Sequence, residues 1–234
     1  MLVLISLGMA VAPALLILGY MIRQDRGRPE PKGLVMLVFL LGLAGIVPAV
    51  LLEILVESLA SVFYFSPLLI ALFRAFLVAA LCEEGIKYLI VMRTVYRNPA
   101  FDEVMDGILY AVVAGLGFAC MENILYVMGS GVLTALLRAF TAVPMHALAA
   151  GIMGYFLGLA KFAPNPAREQ EYKIRGLTWA VFIHGGYDFL LFSIPFWGPL
   201  PALALVPLMV CAYLAFRKSI RRALDADRGA GRLP

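Results

Sequence analysis

The chain has 234 residues, 63% of them hydrophobic and only 15% charged, with a formal net charge of +4. A soluble domain carries about 25% charged residues, so this composition excludes an ordinary soluble globular fold and points to a protein of the lipid bilayer. The positive charge is assigned to loops on one face of the membrane, and no nucleic-acid partner is expected.

A helix that spans a bilayer needs about 20 mostly apolar residues. Seven stretches meet that requirement: 2–22, 34–55, 67–92, 106–128, 132–160, 177–194 and 199–216. The expected fold is therefore all-α, a polytopic bundle of about seven transmembrane helices forming one domain over 1–234, with a short basic tail at 217–234. The third and fifth stretches are long, which predicts tilt or an interfacial end. The first stretch is followed rather than preceded by its charges, the wrong flank order for a cleaved signal peptide.

Lys and Arg set the orientation. The first connection carries Arg23, Arg26, Arg28 and Lys32, and the third carries Arg93 and Arg97. The fifth carries Lys161, Arg168, Lys173 and Arg175, and the tail carries Arg217, Lys218, Arg221, Arg222, Arg228 and Arg232. The connections between them, "SLASVFYFS", "GSG" and "PFWGP", carry none. This alternation predicts an N-terminus outside and a C-terminus in the cytoplasm. Cys82, Cys120 and Cys211 show no CxxC spacing and are expected to be small buried apolar residues rather than a disulfide or zinc framework.

Charges inside these apolar runs demand explanation, because each costs about 2.5–3.5 kcal/mol near the bilayer centre. "AFLVAALCEEGIKYLIVM" holds Glu83, Glu84 and Lys87. Glu83 and Lys87 stand four apart and Glu84 and Lys87 three apart, so Lys87 is expected to hold one glutamate while the other points about 100° away. "GLGFACMENILY" supplies Glu122 as a ligand or base and Asn123 as polar glue between helices. "TAVPMHALAAG" places His146 after Pro144, a proline expected to kink the helix near a cavity. "FIHGGYDFLL" sets His184 and Asp188 on one helix face, beside Gly185 and Gly186, which admit a close neighbour. Glu53, Glu57, Arg74 and Arg138 fall towards the outer ends and read as rim residues.

Both histidines and most of the carboxylates in these spans lie at similar depth. Two histidines plus carboxylates make the donor set of a catalytic zinc site, although the HExxH signature is absent. Three readings use the same residues. The first is a peptide-bond hydrolase with zinc at His146, His184 and Glu122. The second is a metal-independent glutamate hydrolase. The third is a proton-coupled transporter or channel, which the lack of an internal repeat disfavours.

Taken together, the EExxK of Glu83, Glu84 and Lys87, the "GLGFACMEN" segment with Phe118, Glu122 and Asn123, His146 with Gly151, and the HxxxD of His184 and Asp188 resemble the PrsW family of intramembrane proteases. That family is distantly related to the CAAX-type and bacteriocin-processing membrane proteases. The first connection, "YMIRQDRGRPEPKG", also matches it. The wider superfamily has FxxxH and HxxxN where this chain has Phe118 with Glu122 and His184 with Asp188. The resemblance implies a multi-pass peptidase of the bacterial cytoplasmic membrane acting on a membrane-anchored protein, with the first cut of an anti-sigma factor as the associated task. The residues themselves lead us to expect the base at Glu83 or Glu84, with Glu83 preferred, Lys87 holding the adjacent carboxylate, Glu122 completing the site and Asp188 orienting His184.

Overall fold

The computed structural model describes residues 2–24, 28–60 and 66–232. Arg26 and positions 61–65 of the second connection lie outside the described residues. Among the described residues there is no strand; the helices are α1 (Leu2–Gln24), α2 (Lys32–Ala44), α3 (Ile46–Ala60), α4 (Pro67–Phe73), α5 (Leu81–Thr94), α6 (Val104–Ser130), α7 (Val132–Phe140), α8 (Ala142–Lys161), α9 (Pro166–Phe192), α10 (Ile194–Trp197) and α11 (Leu200–Gly229). A π-helical turn, Arg74–Ala80, joins α4 to α5. By length and composition, Lys32–Leu59, Val104–Ser130, Val132–Lys161 and Leu200–Gly229 are long and apolar enough to cross a membrane.

Two of the expected spans are interrupted, and proline accounts for both. Pro48 has no N–H for the Ala44 carbonyl, and the helix breaks between α2 and α3 at Gly45. Pro144 likewise frees the Phe140 carbonyl, and the break between α7 and α8 falls at Thr141, whose φ and ψ are −122° and −68°. In the third stretch the helix continues but widens into the π-turn, a distortion common beside functional sites. The basic tail expected from 217 onward is mostly the end of α11, a continuous helix to Gly229.

Helix α6 is the axis of the molecule. It packs against α1, α2, α8 and α9's neighbour α11, and α8 in turn packs along α9. Small residues make the approach possible. A Cβ at Gly107 would strike the backbone of Gly154 and Gly158 on α8, and one at Gly117 would strike the Phe39 carbonyl on α2. The core around α6 and α8 is apolar, with Tyr110, Leu116, Met145 and Leu157 fully buried, while α3 and the first half of α11 turn Leu51, Leu55, Leu203 and Val206 outward, as lipid-facing helices do.

The basic connections meet at one end of the bundle. Arg28 pairs with Asp102 at 2.9 Å, Lys161 donates to the Tyr96 carbonyl at 2.6 Å, and the Tyr96 hydroxyl donates to Glu169 at 2.9 Å. Arg232 stacks over Phe162, 4.1 Å from the ring centre. At the other end, Arg74 and Glu57 form an exposed pair at 2.6 Å, in keeping with rim residues. Cys82 and Cys120 are buried, but Cys211 on α11 is exposed, so the expectation of three buried thiols fails there.

Candidate active site

The charges scattered through four apolar runs converge at one place in the fold. Helix α5 begins immediately after the π-turn and carries Glu83, Glu84 and Lys87 inward. Helix α6 brings Glu122, α8 brings His146 within its first two turns, and α9 brings His184 and Asp188. Lys87 and Glu84 are wholly buried, and Glu83, His146 and His184 are 7%, 1% and 2% exposed.

Lys87 uses its three donors. Its ammonium lies 2.7 Å from Glu84 Oε1, 3.2 Å from Glu83 Oε2 and 2.8 Å from His146 Nδ1. It therefore binds both glutamates, and the expectation that one would point away is corrected: the long lysine stem reaches both the i−3 and i−4 carboxylates. An ammonium only donates, so His146 Nδ1 accepts, and Nε2–H donates to Glu122 Oε2 at 2.8 Å. Phe118 closes this side, its ring centre 4.4 Å from the lysine nitrogen.

His184 is held in the same manner. Its Nδ1 lies 2.8 Å from Glu84 Oε1 and its Nε2 lies 3.2 Å from Asp188 Oδ2. The two imidazoles meet edge to face, 4.8 Å between centres. One oxygen of Glu83 faces both rings, 3.9 Å from His146 Nδ1 and 3.9 Å from His184 Nε2. Ligand atoms of Glu83, His146 and His184 all lie within 4.8 Å of one another, which makes them the candidate metal-holding group among the described residues.

These donors suit a divalent metal. The nitrogens facing Glu83 are His146 Nδ1 and His184 Nε2, and the opposite nitrogen of each ring is fixed by a carboxylate, Glu122 or Glu84. Metal-binding histidines are oriented in this way. The charge balance agrees. Glu83, Glu84, Glu122 and Asp188 face Lys87 and Arg138, leaving two negative charges in excess when the imidazoles are neutral. Glu122, expected from sequence as a ligand or base, lies on the far side of the His146 ring from Glu83.

Arg138 and Glu53 are the rim expectations that the structure corrects: Glu53 is half-buried and close enough to Glu122, His184 and Asp188 to interact with them. Arg138 does not sit at the rim but pairs with Glu122 at 2.7 Å, with its guanidinium 3.8 Å over the Tyr126 ring. The signal was a charge inside the apolar run "LTALLRAF", the same signal that exposed the other site residues. The break at Thr141 turns α7 so that Arg138 reaches inward, and Tyr187 of α9 fastens that corner by donating to the Thr141 hydroxyl at 2.9 Å. Asn123 donates to the Ala10 carbonyl at 3.1 Å and joins α6 to α1, as polar glue would. Gly185 receives the Phe76 ring of the π-turn, which lets α9 approach the start of α5.

A buried set of carboxylates and cations around two imidazoles, inside an apolar helical bundle, is the equipment of a membrane-embedded hydrolase. The sequence profile described as "PrsW family intramembrane metalloprotease" matches residues 30–215, and the chain belongs to that family. Relatives named "Protease PrsW" include one from Geobacillus kaustophilus (strain HTA426), 40% identical over 195 residues and covering 83% of this chain and 82% of that one. Another is from Bacillus subtilis (strain 168), 36% identical over 187 residues, 80% of this chain and 83% of that one. A third, from Oceanobacillus iheyensis, is 36% identical over 221 residues, 93% and 95% of the two chains. No solved structure matches. The chain is thus a peptidase of an intramembrane metalloprotease family, its relatives are bacterial, and the transporter reading falls.

Proposed function

We propose that this peptidase cleaves a membrane-anchored protein with Glu83 as the carboxylate that takes the proton from the attacking water. The observation that carries the reading is the position of Glu83 Oε2, 3.9 Å from one nitrogen of each buried histidine. Glu84 is bound more tightly, by Lys87 at 2.7 Å and by His184 at 2.8 Å, whereas Lys87 lies 3.2 Å from Glu83. His146 through Nδ1 and His184 through Nε2 would hold a zinc ion. Zinc at such a site supplies Lewis acidity and lowers the pKa of water towards about 7.

The chain's own residues carry the remaining steps. Glu83 accepts the proton as the water oxygen attacks the peptide carbonyl, then returns it to the departing amine. Lys87 bonds both adjacent carboxylates and offsets their mutual repulsion. Glu122 and Glu84 hold the two imidazoles, whereas Asp188 lies 3.2 Å from His184 Nε2, the nitrogen proposed for zinc, and would give up its bond to the ring when the metal binds.

The same reading places the protein in the bacterial cytoplasmic membrane as about seven spanning segments in one domain over 1–234. The N-terminus is outside and the end that gathers the basic connections is cytoplasmic. The substrate proposed from the resemblance is a membrane-anchored anti-sigma factor, cut first on its extracytoplasmic side.

Two contacts favour a second reading without metal, the first being Asp188 Oδ2 at 3.2 Å from His184 Nε2. In the second, Lys87 stands 2.8 Å from His146 Nδ1, on the lone pair that zinc would use. In that form Glu83 activates water unaided, while the histidines orient it and stabilise the oxyanion.

Cleavage of a single-pass membrane substrate by the purified protein in lipid vesicles tests both. The zinc reading expects about one zinc per chain, absent from His146→Ala and His184→Ala, and cleavage that stops with chelator and returns with zinc. Full cleavage by metal-free protein would replace it with the second reading.

A further inference from the structure

We propose that the groove between α8, α9 and α11 is a binding site for an anionic phospholipid, with the acyl chain along the groove and the phosphate at its basic mouth. The cavity measures about 380 Å³, within the range of about 300–1,000 Å³ typical of small-molecule sites. Its length is apolar, walled by Ile152, Phe156, Trp179, Phe182, Leu208 and Ala215. Its mouth is different. Lys218, Ser219 and Arg222 of α11 and Tyr155 of α8 gather there.

Lys218 and Arg222 stand four apart on one helix face, where like charges repel unless an anion joins them. Among the described residues neither has a carboxylate within ion-pair reach. The nearby acids are engaged elsewhere: Glu171 with Arg168 and Arg175, Asp225 with Arg228, and Asp227 with Arg232. Arg222 and Tyr155 both line the groove at this end. Two unpaired cations and two hydroxyls at the end of an apolar channel match a phosphate ester on a hydrocarbon chain.

Charge selects the lipid over the other apolar occupant at hand, the spanning helix of a protein substrate. Such a helix lies in the same membrane and carries its own Lys and Arg at the same end, so it would bring like charge to this mouth. A soluble anion would leave the apolar channel unfilled. The site also bears on the protein's chemistry. Its walls are the helices that carry His146 and His184, and Ile183, next to His184, lines it, so an occupied groove braces the packing that holds the two imidazoles together.

The chain's two tryptophans supply the test, because Trp179 lines the groove and Trp197 does not. In a Trp197→Phe background, Trp179 fluorescence would be measured in phosphatidylcholine vesicles containing increasing brominated phosphatidylglycerol, or brominated phosphatidylcholine instead. The proposal expects quenching at about one-tenth the mole fraction for the anionic lipid. Lys218→Gln with Arg222→Gln, both at exposed positions, should erase that preference and leave quenching by brominated phosphatidylcholine unchanged. Ala215→Phe, which fills the channel and keeps the charges, should weaken quenching by both lipids. Equal quenching in the parent, or a preference that survives the double substitution, would overturn the proposal. So would displacement of brominated lipid by a membrane-anchored substrate without regard to headgroup, which would assign the groove to substrate instead.

Discussion

Helix α6 has a buried polar cluster at each end, and the two are built differently. At its N-terminus the carboxylates serve the backbone. Asp106 accepts from the N–H of Asp102 and Glu103 at 2.8 and 2.6 Å, completing a capping box with Glu103. Asp227 reaches across from α11 to the N–H of Val104 and Met105 at 2.8 and 3.1 Å, and Tyr110 donates to Glu30. These bonds satisfy a helix end that would otherwise be buried with open donors. Around Glu122, by contrast, side chains bind side chains from four different helices, and both histidines of the chain are present. Nothing there closes a helix end. Asp106 and Asp227 at the first end bind backbone N–H groups, whereas the charges at the second surround a shared point.

Substitutions should separate the two ends. The largest effect apart from the central carboxylate is expected at Arg138, which acts through Glu122. Arg138→Gln should lower kcat by about 10-fold, the lower end of the cost of losing a group that orients a histidine at a site of the proposed kind, since Arg138 holds Glu122 rather than His146 itself. KM and thermal midpoint should change little, and Arg138→Lys should recover part of the rate. A loss of folding instead would make Arg138 a structural residue like those at the opposite end.

Asp227→Ala should do the reverse. It strands two buried N–H donors, at about 1–3 kcal/mol each, and so lowers the thermal midpoint by several degrees. The folded fraction should retain its cleavage rate. A slowed rate in fully folded protein would couple the two ends.

The smallest effect concerns Glu169, outside the membrane at the start of α9. Hydrogen bonds from Lys173 and then Tyr96 lower its carboxyl below the ordinary 4.5. Its stabilisation is therefore present above that value and is lost as the pH falls through the lowered one. Glu169→Gln should reduce the thermal midpoint slightly at pH 7, and the difference from the parent should shrink as the pH falls below 4.5 and through the lowered value.

Much of the site was legible because lipid makes polar residues conspicuous. Glu83, Glu84, Lys87, Glu122, His146, His184 and Asp188 stood out as charges in apolar runs, and helical spacing alone paired His184 with Asp188. Which carboxylate meets which ring nitrogen was not legible, since that depends on how α5, α6, α8 and α9 rotate against one another. Similar depth along the spans does not fix that rotation; the π-turn before α5 and the break before α8 change how those two helices enter the site. Arg138 was misread for the same reason. It lies near the end of an apolar stretch, and only the break at Thr141 brings it back to Glu122. The division of 34–55 and 132–160 was hinted at by Pro48 and Pro144, but prolines at positions 13 and 207 sit inside unbroken helices, so proline alone does not announce a break.

The account rests on Glu83, and the cleavage rate of Glu83→Gln tests it most directly. The amide keeps the size and hydrogen-bonding reach of the carboxylate but cannot take the proton. With folding verified by an unchanged thermal midpoint, cleavage of a membrane-anchored substrate in vesicles should fall by about 10²–10⁴-fold. Wild-type cleavage by folded Glu83→Gln would contradict the assignment and move the proton acceptor to another carboxylate of the cluster.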